Sequence, residues 1–221
     1  STSKGRPCRS SHERTFPRFT FKRGVVVAGV EALIVSRSGW TGEDGFEIIV
    51  EATAAEPERA EALYRELVDR GATPCGLAAR DTLRIEAGFC LYGAEIDEDT
   101  TPLEARYRVY TLEKERFIGR EALYRQYLDG VPRVRVGLVT RERAVPRHGY
   151  AIVKDGRKIG EVTSGALSPL TKRGVAMGYV PPQHAIPGTK VYVEIRGRKV
   201  EARLRDWPFY DTRRYGMRRV G

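Results

Sequence analysis

Between residues 134 and 205 the chain lays down six short runs rich in apolar and β-branched residues: VRVGLV, YAIVK, KIGEVTS, VAMGYV, KVYVEI and KVEARLR. Asp155-Gly156 and Gly197 stand where two of the runs must reverse, and no stretch between them has a helical period. Six short strands without a crossover helix have few ways to bury an apolar face. The spacing predicts a small β-barrel or sandwich.

The residues ahead of this region read differently. GVVVAGVEALIVSRSG predicts a hairpin turning near Gly29, and FEIIVEA a further strand after the glycines at 39 and 45. Residues 56–70 place Ala60, Leu63, Tyr64, Leu67 and Val68 on one helical face, with Gly71 at the C-terminal end. Residues 76–88 predict a second helix carrying Arg80 and Arg84 one turn apart, so that both guanidiniums project from the same side. A strand is expected over 107–112 and a third helix in FIGREALYRQYLDG, ended by Gly130 with Pro132 just beyond. Residues 1–18 show no periodicity and are polar and basic. The reading is an α+β chain in three parts: a basic, unstructured lead-in over 1–18, antiparallel strands with helices over 19–130, and the β-barrel over 131–221.

Charge narrows the classes of partner. The 221 residues carry 39 Lys and Arg against 29 Asp and Glu, net +10. Residues 1–37 hold eight basic and two acidic side chains, and residues 199–221 seven and three, so the two ends account for the whole excess. A basic end draws polyanions or acidic proteins, although a spread of solvated charges is the simpler meaning of the same numbers. Against a nucleic-acid-binding barrel, the neutral middle offers no basic groove and the barrel strands no array of stacking rings. No apolar run approaches the ~20 residues of a membrane span, and the first residues lack a secretory apolar stretch. A cytoplasmic chain without membrane attachment is expected. Cys8, Cys75 and Cys90 are odd in number and far apart, which fits neither a disulfide framework nor a zinc site. The chain has no Asn and few Gln or Met beside abundant Arg and Glu, a profile that fits a heat-adapted source.

Three stretches carry chemistry. In SRSGWTGEDGFEI, residues 36–48, glycines flank an acidic pair in a tight reversal, Trp40 offers a flat ring, and Glu47 opens the next strand. A carboxylate held there can accept two parallel hydrogen bonds from an aminopyrimidine edge; an acidic turn with Glu47 on a solvated face is the plainer alternative. In PCGLAARDTLRIEAGFCLYGAEIDEDTTPLEA, residues 74–105, Arg80 beside Asp81 or Glu86 reads on chemistry alone as a structural ion pair. The run Asp97, Glu98, Asp99 reads as a solvated turn. In VTSGALSPLTKRGVAMGYV, residues 162–180, Ser164-Gly165 and Ser168-Pro169 are expected to turn and GVAMGYV to form a buried strand. His12, His148 and His184 sit beside no Ser or Cys in a nucleophile pattern, and all three read as loop residues.

SRSGWTGEDGFEI, PCGLAARDTLRIEAGFCLYGAEIDEDTTPLEA, FIGREAL, IGEVTSGALSP and VAMGYV, in that order, closely resemble the aminomethyltransferase, or T-protein, family of the glycine cleavage system. The resemblance runs from about Phe19 to about Tyr215 and covers the later part of that family; the portion completing its folate-binding region has no counterpart here, and residues 1–18 do not resemble it. It implies transfer of a one-carbon unit from an aminomethyl group on the lipoyl arm of the H protein to tetrahydrofolate, with ammonia released. It implies a folate-binding domain remainder followed by a small β-barrel. Carried over by motif, the family's binding glutamate falls on Glu47, its arginine on Arg80, an aromatic position on Trp40 where Tyr is usual, and a further binding position on Arg214. The family's catalytic aspartate lies in the portion without a counterpart, so no Asp of this chain takes that role, and the chain on its own is expected to be weak or inactive. The alternatives are another folate-dependent one-carbon transferase or demethylase of the same family, and a basic nucleic-acid-binding barrel module.

Overall fold

The computed structural model describes residues 16–53, 56–108 and 112–217. Two compact units divide the chain: Ser1–Arg80 with Thr212–Gly221, and Asp81–Asp211.

The first unit is built on an antiparallel sheet of β1 (Phe21–Val27), β2 (Val30–Ser36) and β3 (Glu47–Ile49), in that order. Val27 pairs with Val30, leaving a two-residue turn in which Ala28 and Gly29 both have positive φ. That backbone matches the twist of the strands it joins. Helix α1 (Glu58–Asp69) follows; of its apolar face only Leu63 is buried, and Tyr64 is exposed. Its outer face carries the exposed pairs Arg65 with Glu61 and Arg70 with Glu66, which contribute a few tenths of a kcal/mol each. Helix α2 (Leu77–Ala87) comes next in the chain.

The second unit contains the barrel. β4 (Val134–Thr140), β5 (Ala151–Lys154), β6 (Arg157–Leu167), β7 (Gly174–Val180), β8 (Lys190–Ile195) and β9 (Arg198–Arg205) close in the order β4-β7-β6-β5-β8-β9, every pairing antiparallel. All six expected strands are present. Two hairpins repeat the turn of the first sheet, with positive φ at Asp155 and Gly156 and at Arg196 and Gly197. Leu138, Ile152, Val162, Val191, Val193 and Leu204 fill the interior. Outside, Ile85 of α2 and Phe209 pack against Val175 and Met177 of β7, and all four are buried. Helix α3 (Arg120–Asp129) ends at Gly130, φ 85°.

Two expectations need correction. Ser164-Gly165 is not a turn: both lie inside β6, next to a register shift between Val162 and Ser164. Gly165 is required there by close approach, since a Cβ would lie 2.1 Å from the Pro146 carbonyl oxygen. His184 lies in a short 3-10 helix, Pro182–His184, rather than a loop. Of the strand expected over 107–112, residues 109–111 fall outside the described residues and Tyr107 and Arg108 are irregular. Cys8, His12 and most of the lead-in fall outside them too. Among the described residues no helix is long and apolar enough to cross a membrane.

Candidate functional site

Three of the four motif-derived residues lie in one loop, at the head of the strand that follows it, and in the turn bonded to it. Residues 37–46 join β2 to β3, and Arg37 at their start is buried, 8% exposed. Its Nε and Nη2 donate to Asp44 Oδ1 and Oδ2 at 3.0 and 2.5 Å, and its Nη1 to the Phe16 carbonyl at 2.7 Å. Such a two-pronged guanidinium-carboxylate pair fixes orientation as well as distance. The hydrogen bond and charge of Arg37 hold the Asp44 carboxyl below the usual carboxylate range. Phe16 meets Phe46 edge to face, centroids 5.4 Å apart, and closes the base of the loop.

The chain returns to this loop at 212–217. Gly216 N donates to Glu43 Oε1 at 2.7 Å and Met217 N to the Gly42 carbonyl at 2.8 Å. Arg214 is therefore carried to the loop that holds Trp40, with its guanidinium 5.5 Å from the Tyr215 ring centroid. Trp40 is 41% exposed.

Glu47 is exposed at the head of β3. Ser38 Oγ donates to Glu47 Oε2 at 2.8 Å. A hydroxyl has one proton, so the 2.7 Å contact between the Ser36 and Ser38 hydroxyls has Ser36 as donor. Two serines thus orient the carboxylate, and Oε1 is without a partner among the described residues.

Arg80 stands apart. It is exposed on α2 and, among the described residues, its side chain makes no hydrogen bond or ion pair. The pairing read for it with Asp81 or Glu86 is corrected: Asp81 accepts from Arg84 Nε at 2.8 Å, and Glu86 from the buried Ser168 hydroxyl. Arg84, one turn on, is 2% exposed and donates to Glu95 Oε2 at 2.6 Å and Ser164 Oγ at 2.9 Å. Glu95 Oε1 accepts from Thr163 Oγ1 at 2.7 Å. Both buried charges are paired and hydrogen-bonded, which marks this cluster as structural. Burial pushes the Cys90 thiol up, so it stays protonated. Asp97 Oδ1 accepts from Asp99 N at 3.1 Å and Thr100 Oγ1 at 2.6 Å, a turn that ties up its own carboxylate.

Motif reading missed the Arg37–Asp44 clamp and the Ser36–Ser38 relay. The signal was present: an arginine ending one strand, an acid seven residues on, and two serines at alternate positions pointing the same way.

The family descriptions that match are the glycine cleavage T-protein C-terminal barrel domain, over residues 133–211, and the GCVT N-terminal domain, over residues 8–113. The second match begins ahead of Phe19, so the similarity reaches further upstream than the motifs indicate. The chain is 47% identical over 190 residues to an aminomethyltransferase of Rubrobacter xylanophilus, covering 85% of this chain and 49% of the relative. It is 45% identical over 198 residues to one of Symbiobacterium thermophilum, covering 87% and 52%. The crystal structure of the glycine cleavage system aminomethyltransferase T from Bartonella henselae aligns with a TM-score of 0.73 at 41% identity, over 80% of this chain and 49% of that one. The chain spans about half the length of the relatives it matches.

Proposed function

Because the chain belongs to the glycine cleavage T-protein family, we propose that its clamped loop supplies the folate-reading part of an aminomethyl transfer site. In that reaction an aminomethyl group, held through sulfur on the lipoyl arm of an H protein, gives its carbon to tetrahydrofolate. The carbon-sulfur and carbon-nitrogen bonds break, two bonds form to the folate nitrogens, and the two displaced N–H protons end on ammonia and the thiol. Methylene-tetrahydrofolate and dihydrolipoyl H protein remain.

The observation that carries this reading is the Glu47 carboxylate, exposed yet oriented through Ser38 at 2.8 Å on a loop locked by Arg37 and Asp44. A fixed carboxylate with one oxygen unspent is suited to the amino and ring N–H edge of a pterin. Trp40 would lie against the ring face, Arg214 would add charge at the rim, and Arg80 would meet a folate carboxylate. Holding the pterin edge sets where the accepting nitrogens lie, which is the positioning part of the rate gain. No Asp of this chain is assigned to proton transfer. The net charge of +10 would speed encounter with an acidic lipoyl-bearing partner more than it would tighten the complex.

Calorimetric titration of the 221-residue chain with tetrahydrofolate, beside Glu47→Ala, tests the assignment. Binding that the substitution abolishes is expected. Equal heats in the two proteins, or none in the unsubstituted chain, would overturn it.

A further inference from the structure

The outer wall of the barrel holds a concavity of about 670 Å³ where β9, the end of β4 and the start of β7 meet. Four arginines from three parts of the chain line it: Arg141 just after β4, Arg173 just before β7, and Arg203 and Arg205 on β9. Alternation along β9 puts the last two on the same outward face. The only carboxylate in the lining is Glu201. It lies 3.6 Å from Arg141 and 3.4 Å from Lys190, shared between two cations. Arg203 donates to the Gly188 carbonyl at 3.1 Å, which leaves its charge uncompensated. Arg173 and Arg205 make no ion pair among the described residues.

The frame under these side chains is rigid. The buried Thr140 hydroxyl bridges the two ends that carry Arg141 and Arg173, lying 2.6 Å from the Glu142 carbonyl and 3.2 Å from that of Gly174. Gly188 N donates to the Leu204 carbonyl at 2.8 Å and Leu204 N to the Thr189 carbonyl at 2.9 Å, strapping the opposite rim to β9. Arg141 N donates to the Glu201 carbonyl at 2.9 Å. Like charges held close on a fixed frame repel one another in the free protein, and a bound anion removes that repulsion without reorganising the wall. Half-buried Val139 and exposed Pro187 add apolar surface between the guanidiniums. The volume falls within the range of small-molecule sites and has room for more than one oxyanion group.

We propose that this concavity binds a small multivalent oxyanion, a compound carrying two or more phosphate or carboxylate groups spread across the four guanidiniums. The lining shares no residue with the Glu47 loop, and nothing in the folate reading bears on it.

Calorimetry at low salt on the full 221-residue chain tests it, with inorganic tripolyphosphate and citrate as probes. Tripolyphosphate is expected to bind, and the Arg173→Ala/Arg205→Ala double variant to weaken it at least tenfold with the thermal midpoint unchanged. Arg157→Ala, an exposed cation at the start of β6 outside the concavity, is expected to bind as the parent does. Tighter tripolyphosphate assigns the site to phosphate groups and tighter citrate to carboxylates, either of which sustains the proposal. No heat with either probe, or equal weakening by Arg157→Ala, would overturn it, the latter showing only diffuse charge attraction.

Discussion

Arg84 and Glu95 form an ion pair at 2.6 Å in which neither side chain is more than 2% exposed. Eleven positions apart, they are joined across the turn at Gly88; Thr163 and Ser164 of β6 add hydrogen bonds from the barrel, and Asp81, Phe89 and Leu91 add others from nearby in the chain. The cluster ties α2 and the segment after it to the barrel. Breaking one partner strands the other charge without water, at about 3–5 kcal/mol. Urea unfolding of Arg84→Met and of Glu95→Leu should each show a loss of that order, with the double variant losing clearly less than the sum. Strict additivity would mean that the two charges do not act as a pair.

The clamp of the 37–46 loop predicts a pH dependence. Arg37 holds the Asp44 carboxyl below its ordinary range. A depressed acid contributes stability that is fully present above its unfolded pKa, about 4, and that is lost as pH falls through the lower folded value. Proteolytic cleavage within 37–46 should therefore be slow and flat from neutral pH down to about pH 5 and accelerate below about 4. In Asp44→Asn cleavage should already be fast at neutral pH, and this loop's acid-dependent acceleration should vanish. An unchanged profile in the variant would remove Asp44 from the clamp.

The features that local chemistry decides were legible. The turn at Gly29, the helices and all six barrel strands follow from period and from residues that accept positive φ. Ser164-Gly165 was not, because a glycine reads the same whether it turns the chain or admits a carbonyl, and Pro146 is distant in sequence. Arg80 and Arg84 share a helical face, yet one is exposed and the other buried; Glu95 and Ser164, which take up Arg84, come from elsewhere in the chain. Glu47 was legible as a candidate from its loop. Arg37 was counted only as part of a basic end, since its meaning depends on Asp44 and Phe16 folding around it.

Ser38 predicts how much orientation matters at the proposed folate edge. Its hydroxyl is the described partner of the Glu47 carboxylate. One hydrogen bond to a charged group is worth about 1.5–3 kcal/mol, and exposure brings that toward the lower end. Ser38→Ala should weaken tetrahydrofolate binding about tenfold and leave thermal stability within a degree or two, whereas Ser38→Thr, which keeps the hydroxyl, should recover most of the affinity. A parallel loss in both variants would point to loop packing instead.

Gly88 separates backbone strain from lost space. It has φ +79°, and a Cβ added to it would lie 2.1 Å from Trp207 Cγ. The same residue's carbonyl accepts from Arg135 Nη1 at 2.7 Å, and the fully buried Arg135 guanidinium stacks 3.9 Å from the Trp207 ring centroid. A methyl group at 88 therefore forces the indole off Arg135 and disturbs the cradle of a buried cation. Gly149 is the natural control, with φ +83° and nothing within 4 Å of its Cβ. There alanine meets only the left-handed penalty, about 1 kcal/mol. At 88 overpacking adds about 1–3 kcal/mol, and a loosened buried charge adds more. In urea titrations Gly88→Ala should lose at least about 3 kcal/mol against about 1 for Gly149→Ala. Trp207 fluorescence should shift to the red in the first variant alone. Equal losses with unchanged fluorescence would show that strain accounts for both and that the indole has room to yield.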